Sequence, residues 1–178
     1  MAVFACFIRA IGPATHAKMS MASLRERCVA AGLADVVTIG NTGNLLCRAE
    51  ATAAALRRRV QDVVDGFGVD DRCEVFVRTP GQMARVLAAN PFPDAAAEHP
   101  ERLGVCLFHS APRWPEWVGA YAGPERLATV GAHLVVDYPT MTGGLAVEKR
   151  IGARMTQRNW RVFAGVAERV AALARQGS

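Results

Sequence analysis

The residues best suited to chemistry in this sequence are cationic and amide side chains, and they are scattered. The densest group is Thr156-Gln157-Arg158-Asn159-Trp160. Thr156 has the side chain of a good helix N-cap, and an apolar series follows it, so the pattern predicts a helix opening just after Thr156. Arg158 would then lie in the first turn, where the helix dipole disfavours a cation by about 0.3–1 kcal/mol. Such a placement calls for a compensating negative group, either an internal carboxylate pinning the helix or a bound anion beside the free N–H groups. Asn159 would share that anion, and Trp160 would anchor the core.

Three other places can do related work. Arg9 closes an apolar run and precedes the loop from Ala10 to Met19, a position from which a guanidinium can meet a phosphate or carboxylate. Lys149, next to Glu148 and after Gly143-Gly144, is an amine in a predicted flexible loop, open to acid/base or binding chemistry. Asn44 follows Gly43 and reads first as a turn residue bonding the backbone, with a ligand contact as the second possibility. Arg9, Asn44, Lys149, Thr156, Arg158 and Asn159 are therefore the candidate ligand-binding residues.

Several reaction classes lack their residues. His16, His99, His109 and His133 have no metal-ligand spacing, and the five cysteines, Cys6, Cys28, Cys47, Cys73 and Cys106, form no C-x-x-C pair. They fall mostly in apolar runs and read as buried free thiols in a reducing, cytoplasmic compartment. There is no G-x-G-x-x-G, no phosphate loop and no G-x-S-x-G. No cofactor and no metal is expected, and no catalytic residue can be assigned.

Composition sets the outer limits. The chain has 178 residues, 51% of them hydrophobic, enough for a sizeable core and too apolar for wholesale disorder. Lys and Arg number 21 against 16 Asp and Glu, a net charge of +5. That excess suits an anionic small molecule, and it leaves nucleic acid open as a partner. Arg57-Arg58-Arg59, however, has no interleaved aromatics, and Arg58 can pair with Asp62 at i+4, the pattern of a solvated helix face. The first apolar run, Ala2 to Ile8, is far shorter than the ~20 residues that span a bilayer, so no membrane association is expected.

The elements that must position these residues follow from periodicity. Ala2 to Ile8 reads as a buried strand, Ser20 caps a helix carrying Leu24 and Cys28, and Val36 to Ile39 and Leu45 to Cys47 flank a turn at Asn41-Thr42-Gly43-Asn44. A helix from Thr52 to Val64 buries Leu56, Val60 and Val64, and Cys73 to Val77 makes the fourth strand. Thr79-Pro80-Gly81-Gln82 has a capping-box pattern opening a further helix, followed by a linker from Pro91 to Pro100. Leu103 to Phe108, a short helix near Trp114 to Tyr121, Leu127 to Val130 and His133 to Asp137 then repeat the order strand–helix–strand–strand. The fold class expected is α+β: two ferredoxin-like α/β-sandwich halves, β-α-β-β-α-β and a similar β-α-β-β unit, plus a C-terminal helix. The boundaries are 1–78 for the first half, 79–102 for a connecting helix and linker, and 103–178 for the second half with its helix.

Five short segments carry a family resemblance. Phe7-Ile8-Arg9-Ala10-Ile11-Gly12 is similar to an "LLRGIN" opening, Met21-Ala22-Ser23-Leu24-Arg25 to "MAELR" and Thr42-Gly43-Asn44 to "SGN". Asn90-Pro91-Phe92 matches "NPF", and Thr156-Gln157-Arg158-Asn159-Trp160 matches "T-x-RNW". Together, along nearly the whole chain, these resemble the family catalogued as domain of unknown function number 1697. The resemblance implies a two-part α+β fold with no established reaction. Ala10 stands where the family has Gly, Thr42 where it has Ser, and the loop from Gly12 to Met19 lacks the family's double Gly.

The function expected is thus a binding module for an anionic small molecule or a phosphate-bearing partner. The alternative readings are an enzyme using a cleft between the halves, with Lys149 or a cysteine as the reactive group, and a non-specific nucleic-acid-binding protein. The absence of any recognition-helix signature carries a prediction: fluorescence anisotropy against duplex DNA at physiological salt should show no sequence-specific complex near ~10⁻⁸ M.

Overall fold

The computed structural model describes residues 1–140 and 145–176. Gly143-Gly144 lies outside them. The first sheet is built from β1 (Ala2–Ile8), β2 (Ala34–Ile39), β3 (Asn44–Ala49) and β4 (Val75–Arg78) in the spatial order β2-β3-β1-β4, with every neighbouring pair antiparallel. Helices α1 (Pro13–His16) and α2 (Met21–Ala30) connect β1 to β2, and α3 (Ala53–Asp65) connects β3 to β4.

Local sequence explains these boundaries. Ser20 Oγ accepts from Ser23 N at 3.0 Å to open α2, and Thr52 Oγ1 accepts from Ala55 N at 3.2 Å to open α3. Leu56, Val60 and Val64 recur at spacing four and pack with Leu24 and Cys28 against Phe4, Cys6, Ile8, Leu45, Cys47, Val75 and Val77. The end of α3 is tied to α2 by Arg27, which donates to the Gly66 carbonyl at 2.9 Å while its guanidinium lies 3.9 Å from the Phe67 ring centre.

The turn between β2 and β3 shows why its residues are what they are. Gly43 has φ +74°, and a Cβ there would stand 2.7 Å from Ile11 Cγ1 and 2.8 Å from the Ile8 carbonyl oxygen. The Gly43 carbonyl accepts from Ile8 N at 2.7 Å, so the turn folds down onto the end of β1. Asn44 is buried, and its amide donates to Thr42 Oγ1 at 3.0 Å and to the Ile39 carbonyl at 3.3 Å.

After β4 the chain enters α4 (Pro80–Ala89) through the capping box read from the sequence. Thr79 N donates to Gln82 Oε1 at 2.9 Å, and Gln82 N donates to Thr79 Oγ1 at 3.2 Å. The stretch expected as a linker contains a short helix, α5 (Pro93–Glu98).

The second sheet repeats the first. β5 (Leu103–Phe108), β6 (Arg126–Val130), β7 (His133–Asp137) and β8 (Met155–Asn159) lie in the order β6-β7-β5-β8, again all antiparallel. Helix α6 (Pro115–Gly119) joins β5 to β6, and α7 (Val147–Ile151) joins β7 to β8. The second half is therefore a full β-α-β-β-α-β unit and not the shortened one expected. Residues 147–149, read from the sequence as loop, are helical. Thr156, read as the cap of the last helix, and residues 157–159, read as its first turn, lie in a strand paired with β5, so that α8 (Trp160–Arg175) begins four residues after Thr156.

The two registers superimpose position by position. Ala5 pairs with Leu46 and Arg78, as Val105 pairs with Val135 and Arg158. Cys6 and Cys106, Arg78 and Arg158, and the helix-capping residues Thr79 and Asn159 are thereby equivalent. So are Arg48 and Asp137; Asp137 lies opposite Arg126, whereas Arg48 lies opposite Ala34 and a register shift in β2 brings Asp35 to it. Arg48 Nε meets Asp35 Oδ2 at 2.7 Å, and Asp137 Oδ2 meets Arg126 Nη2 at 2.7 Å.

The chain divides into two compact units, Met1–Met83 together with the chain from Val166 on, and Ala84–Gly165. The sequence places all of 103–178 in the second half. In the structure the later turns of α8 group with the first unit, where Arg48 Nη2 donates to the Leu173 carbonyl. No helix among the described residues is long and apolar enough to cross a membrane.

All five cysteines are buried and free. Burial pushes the Cys28 and Cys106 thiols up to about 12 from 9.0. A raised folded-state value adds stability below the unfolded value, and that stability is lost as pH rises toward the folded one. Between about pH 9 and 12 each of these thiols should withdraw about 1.4 kcal/mol per pH unit. Urea melts over this range should show the decline, and Cys106→Ser should reduce its slope.

Candidate functional site

The equivalence of the two sheets locates the site, because it shows where the second departs from the first. On the face of the first sheet that packs against α2 and α3, the positions of β1, β3 and β4 are apolar or thiols: Phe4, Cys6, Ile8, Leu45, Cys47, Ala49, Val75 and Val77. The register sets Gly104 opposite the role of Phe4, Tyr138 that of Ala49 and Gln157 that of Val77. A small residue has replaced the largest one, and an amide and a phenol fill the space.

Their packing is tight. Gln157 runs across Gly104, where an added Cβ would stand 2.8 Å from Gln157 Cδ and 3.0 Å from Tyr138 Cε2. Tyr138 Oη donates to Gln157 Oε1 at 2.8 Å, and Cys106 Sγ donates to the same oxygen at 3.3 Å. Both donors are protonated at neutral pH, since burial pushes the phenol and the thiol up. The amide oxygen is thus doubly engaged. Gln157 Nε2 has no hydrogen-bond partner among the described residues.

Above this floor lies a cavity of about 480 Å³. Tyr138, Met155 and Gln157 form its base, Leu145 and Val147 its apolar wall, and Glu148 and Lys149 its rim. It exists because α7 has five residues where the equivalent α3 has 13, so less of the sheet is covered. The outer side of β7 is fixed independently. Asp137 receives Arg126 Nε at 2.7 Å and His99 Nε2 at 3.1 Å, while Arg126 also reaches Asp94 at 2.7 Å and stacks 4.8 Å from the Phe92 ring centre. The Asn90-Pro91-Phe92 segment therefore serves as the support under this arginine.

The residues singled out from the sequence are divided between the units. Arg9 and Asn44 belong to the first, where Arg9 N donates to the Glu74 carbonyl at 3.0 Å and Asn44 closes its turn. Lys149, Thr156, Arg158 and Asn159 belong to the second, and of these Lys149 lines the cavity. Thr156 and Arg158 alternate with Met155 and Gln157 along β8, so they lie on the other face of the sheet. Arg158 is not in a helical first turn, and the dipole argument for a compensating anion does not apply. Its Nη1 donates to Thr156 Oγ1 and the Gln157 carbonyl, both at 2.9 Å, and burial pushes its guanidinium down to about 10. The N-cap of α8 is Asn159, whose Oδ1 accepts from Val162 N at 2.9 Å.

A smaller cavity of about 390 Å³ lies in the first unit between the loop after β1 and the turn before β4. Its cations are engaged locally: Lys18 Nζ donates to the Gly68 carbonyl at 2.6 Å, and Arg72 binds both oxygens of Asp70. On α3, Arg58 and Asp62 form no ion pair among the described residues, and Arg58 is exposed. Neither feature presents a fixed donor as Gln157 does.

These observations define a protein of two four-stranded antiparallel α+β units, the second with a cavity floored by Tyr138, Met155 and Gln157. The chain belongs to the family described as protein of unknown function (DUF1697), whose model matches residues 1–133. The Thr156–Trp160 segment and most of the cavity lie beyond the matched stretch. A solved conserved bacterial protein from Streptococcus pneumoniae is similar in fold, with a TM-score of 0.68 at 16% identity over 96% of this chain and 99% of that one. No curated relative matches the sequence.

Gly104, Cys106, Tyr138 and Gln157 were not selected as site residues from the sequence. The available signal was Gly104, a glycine inside an otherwise apolar strand, which marks close approach by another group. Gly104→Ala should push Gln157 off its floor position and destabilise the protein by ~1–3 kcal/mol in denaturant melts. The equivalent cost should be absent in a Gly104→Ala, Gln157→Ala double variant.

Proposed function

We propose that the protein is a binding module for a small anionic molecule, held in the second unit's cavity. Lys149 supplies the positive charge at the rim, and Gln157 supplies a fixed hydrogen-bond donor at the base. The observation that carries this reading is the Gln157 amide. A half-buried amide in place of an apolar side chain costs free energy to the extent that its groups go unbonded. Here the oxygen is held by Tyr138 and Cys106, while the amide lies across Gly104 at the cavity's base and its NH₂ has no partner among the described residues. An arrangement that fixes an acceptor in place and presents its donor favours a ligand bearing an acceptor oxygen.

Cys106 serves this reading as a donor, since a protonated thiol is a weak nucleophile. Arg158 and Thr156 support β8 from its other face, and Asn159 starts α8. Five buried free thiols support a reducing, cytoplasmic setting.

Lys149 is exposed, so Lys149→Ala should melt like wild type in plain buffer. In a thermal-shift screen of small carboxylates and phosphates, a binding anion at 100 times its dissociation constant should stabilise wild type by ~2.7 kcal/mol. Lys149→Ala should lose most of that gain. Anions that protect both proteins equally, or protect neither, would overturn the reading.

A further inference from the structure

We infer that the anion is a monocarboxylate with an apolar body. This rests on the cavity reading above and goes further by naming the chemical class. Three observations carry it.

The first is the charge at the rim. Lys149 is accompanied by Glu148, so the cavity offers one cation beside one carboxylate. A phosphate dianion would meet Glu148 with a single ammonium to offset it. Phosphate sites gather several converging N–H donors or an arginine fork. Among the described residues this cavity has one ammonium and one amide, which suits a single negative charge.

The second is donor polarity. Gln157 Oε1 already accepts from Tyr138 Oη and Cys106 Sγ, which leaves Nε2 as the amide's contribution to the cavity. The base therefore selects an acceptor oxygen and offers an incoming ammonium or amide N–H no acceptor, Glu148 lying at the rim. An unpaired donor in a partly desolvated site is heavily penalised, so the discrimination is strong.

The third is the wall. Leu145, Val147 and Met155, with the Tyr138 ring, give the cavity an apolar side next to its polar base. A hydrocarbon chain gains from burial there, and the unbranched Met155 can adapt to chains of different length.

The test is an NMR titration of the intact protein with acetate, butyrate, hexanoate and octanoate, alongside hexylamine and inorganic phosphate. Shifts should centre on the Gly104 and Gln157 backbone amides and the Gln157 side-chain NH₂. Carboxylate affinity should rise by about fourfold per methylene as the chain fills the wall. Hexylamine and phosphate should leave these signals in place. Gln157→Glu keeps the shape and still accepts from Tyr138 and Cys106, but presents an oxygen to the cavity. In protein that remains folded it should lose carboxylate binding at least tenfold, read at the Gly104 backbone amide. Binding of phosphate, dependent on Lys149, with no response to carboxylates would overturn this inference and leave the anion-binding reading intact. Carboxylate affinity independent of chain length, or unchanged in Gln157→Glu, would also overturn it. No shift at Gly104, Gln157 or Lys149 with any anion would overturn both.

Discussion

Each sheet depends on a central strand that is paired along both edges and covered on both faces. β1 lies between β3 and β4, and β5 lies between β7 and β8. From Val3 to Ile8, and from Leu103 to Phe108, every residue is buried. A strand in that position can carry no solvated side chain, so its sequence becomes a continuous apolar run. Its backbone groups must also be met on both sides, and this requirement recruits β8. Met155-Thr156-Gln157-Arg158-Asn159 has little strand character of its own, yet the open edge of β5 needs a partner.

Two units with one connectivity have met this constraint differently. The first fills the space between sheet and helices with Phe4, Val77 and the long α3. The second has Gly104, Gln157 and a five-residue helix. Where the first unit is closed by hydrocarbon, the second is closed by a hydrogen-bonded cluster that leaves a cavity above it. Polar groups in low dielectric are strongly held when satisfied and costly when not, so such a cluster restricts what can occupy the adjoining space. The charge pairs on the strands followed a gentler course. Arg48 with Asp35 and Asp137 with Arg126 keep one interaction at equivalent places with the signs exchanged.

The segments that carry the family resemblance act mostly as structural joints. Thr42-Gly43-Asn44 is a turn that must contain glycine because Ile8 and Ile11 stand against it. Phe92 supports the arginine that binds Asp137. Asn159 opens the last helix. Local chemistry of this kind can be read from short segments, since a cap or a turn involves neighbours in the chain.

Much of the architecture was legible for the same reason. The apolar runs Ala2 to Ile8 and Leu103 to Phe108, the spacing of Leu56, Val60 and Val64, and the capping residues Ser20, Thr52 and Thr79 each announce an element through contacts within a few residues. The repeated order of those elements is enough to reach two α+β halves. What the sequence could not decide is held by partners far apart in it. Residues 155–159 are a strand because β5 is there to pair with them, and this relocates Arg158 from a helix start to a sheet face. The cavity requires Gly104, Tyr138 and Gln157 to meet, and only the register of three strands sets them together. Lys149 was visible as a cation, but its place on a cavity rim follows from the shortness of α7. Periodicity records which way a side chain faces, whereas a site depends on which distant side chains face each other, and that is settled by tertiary packing.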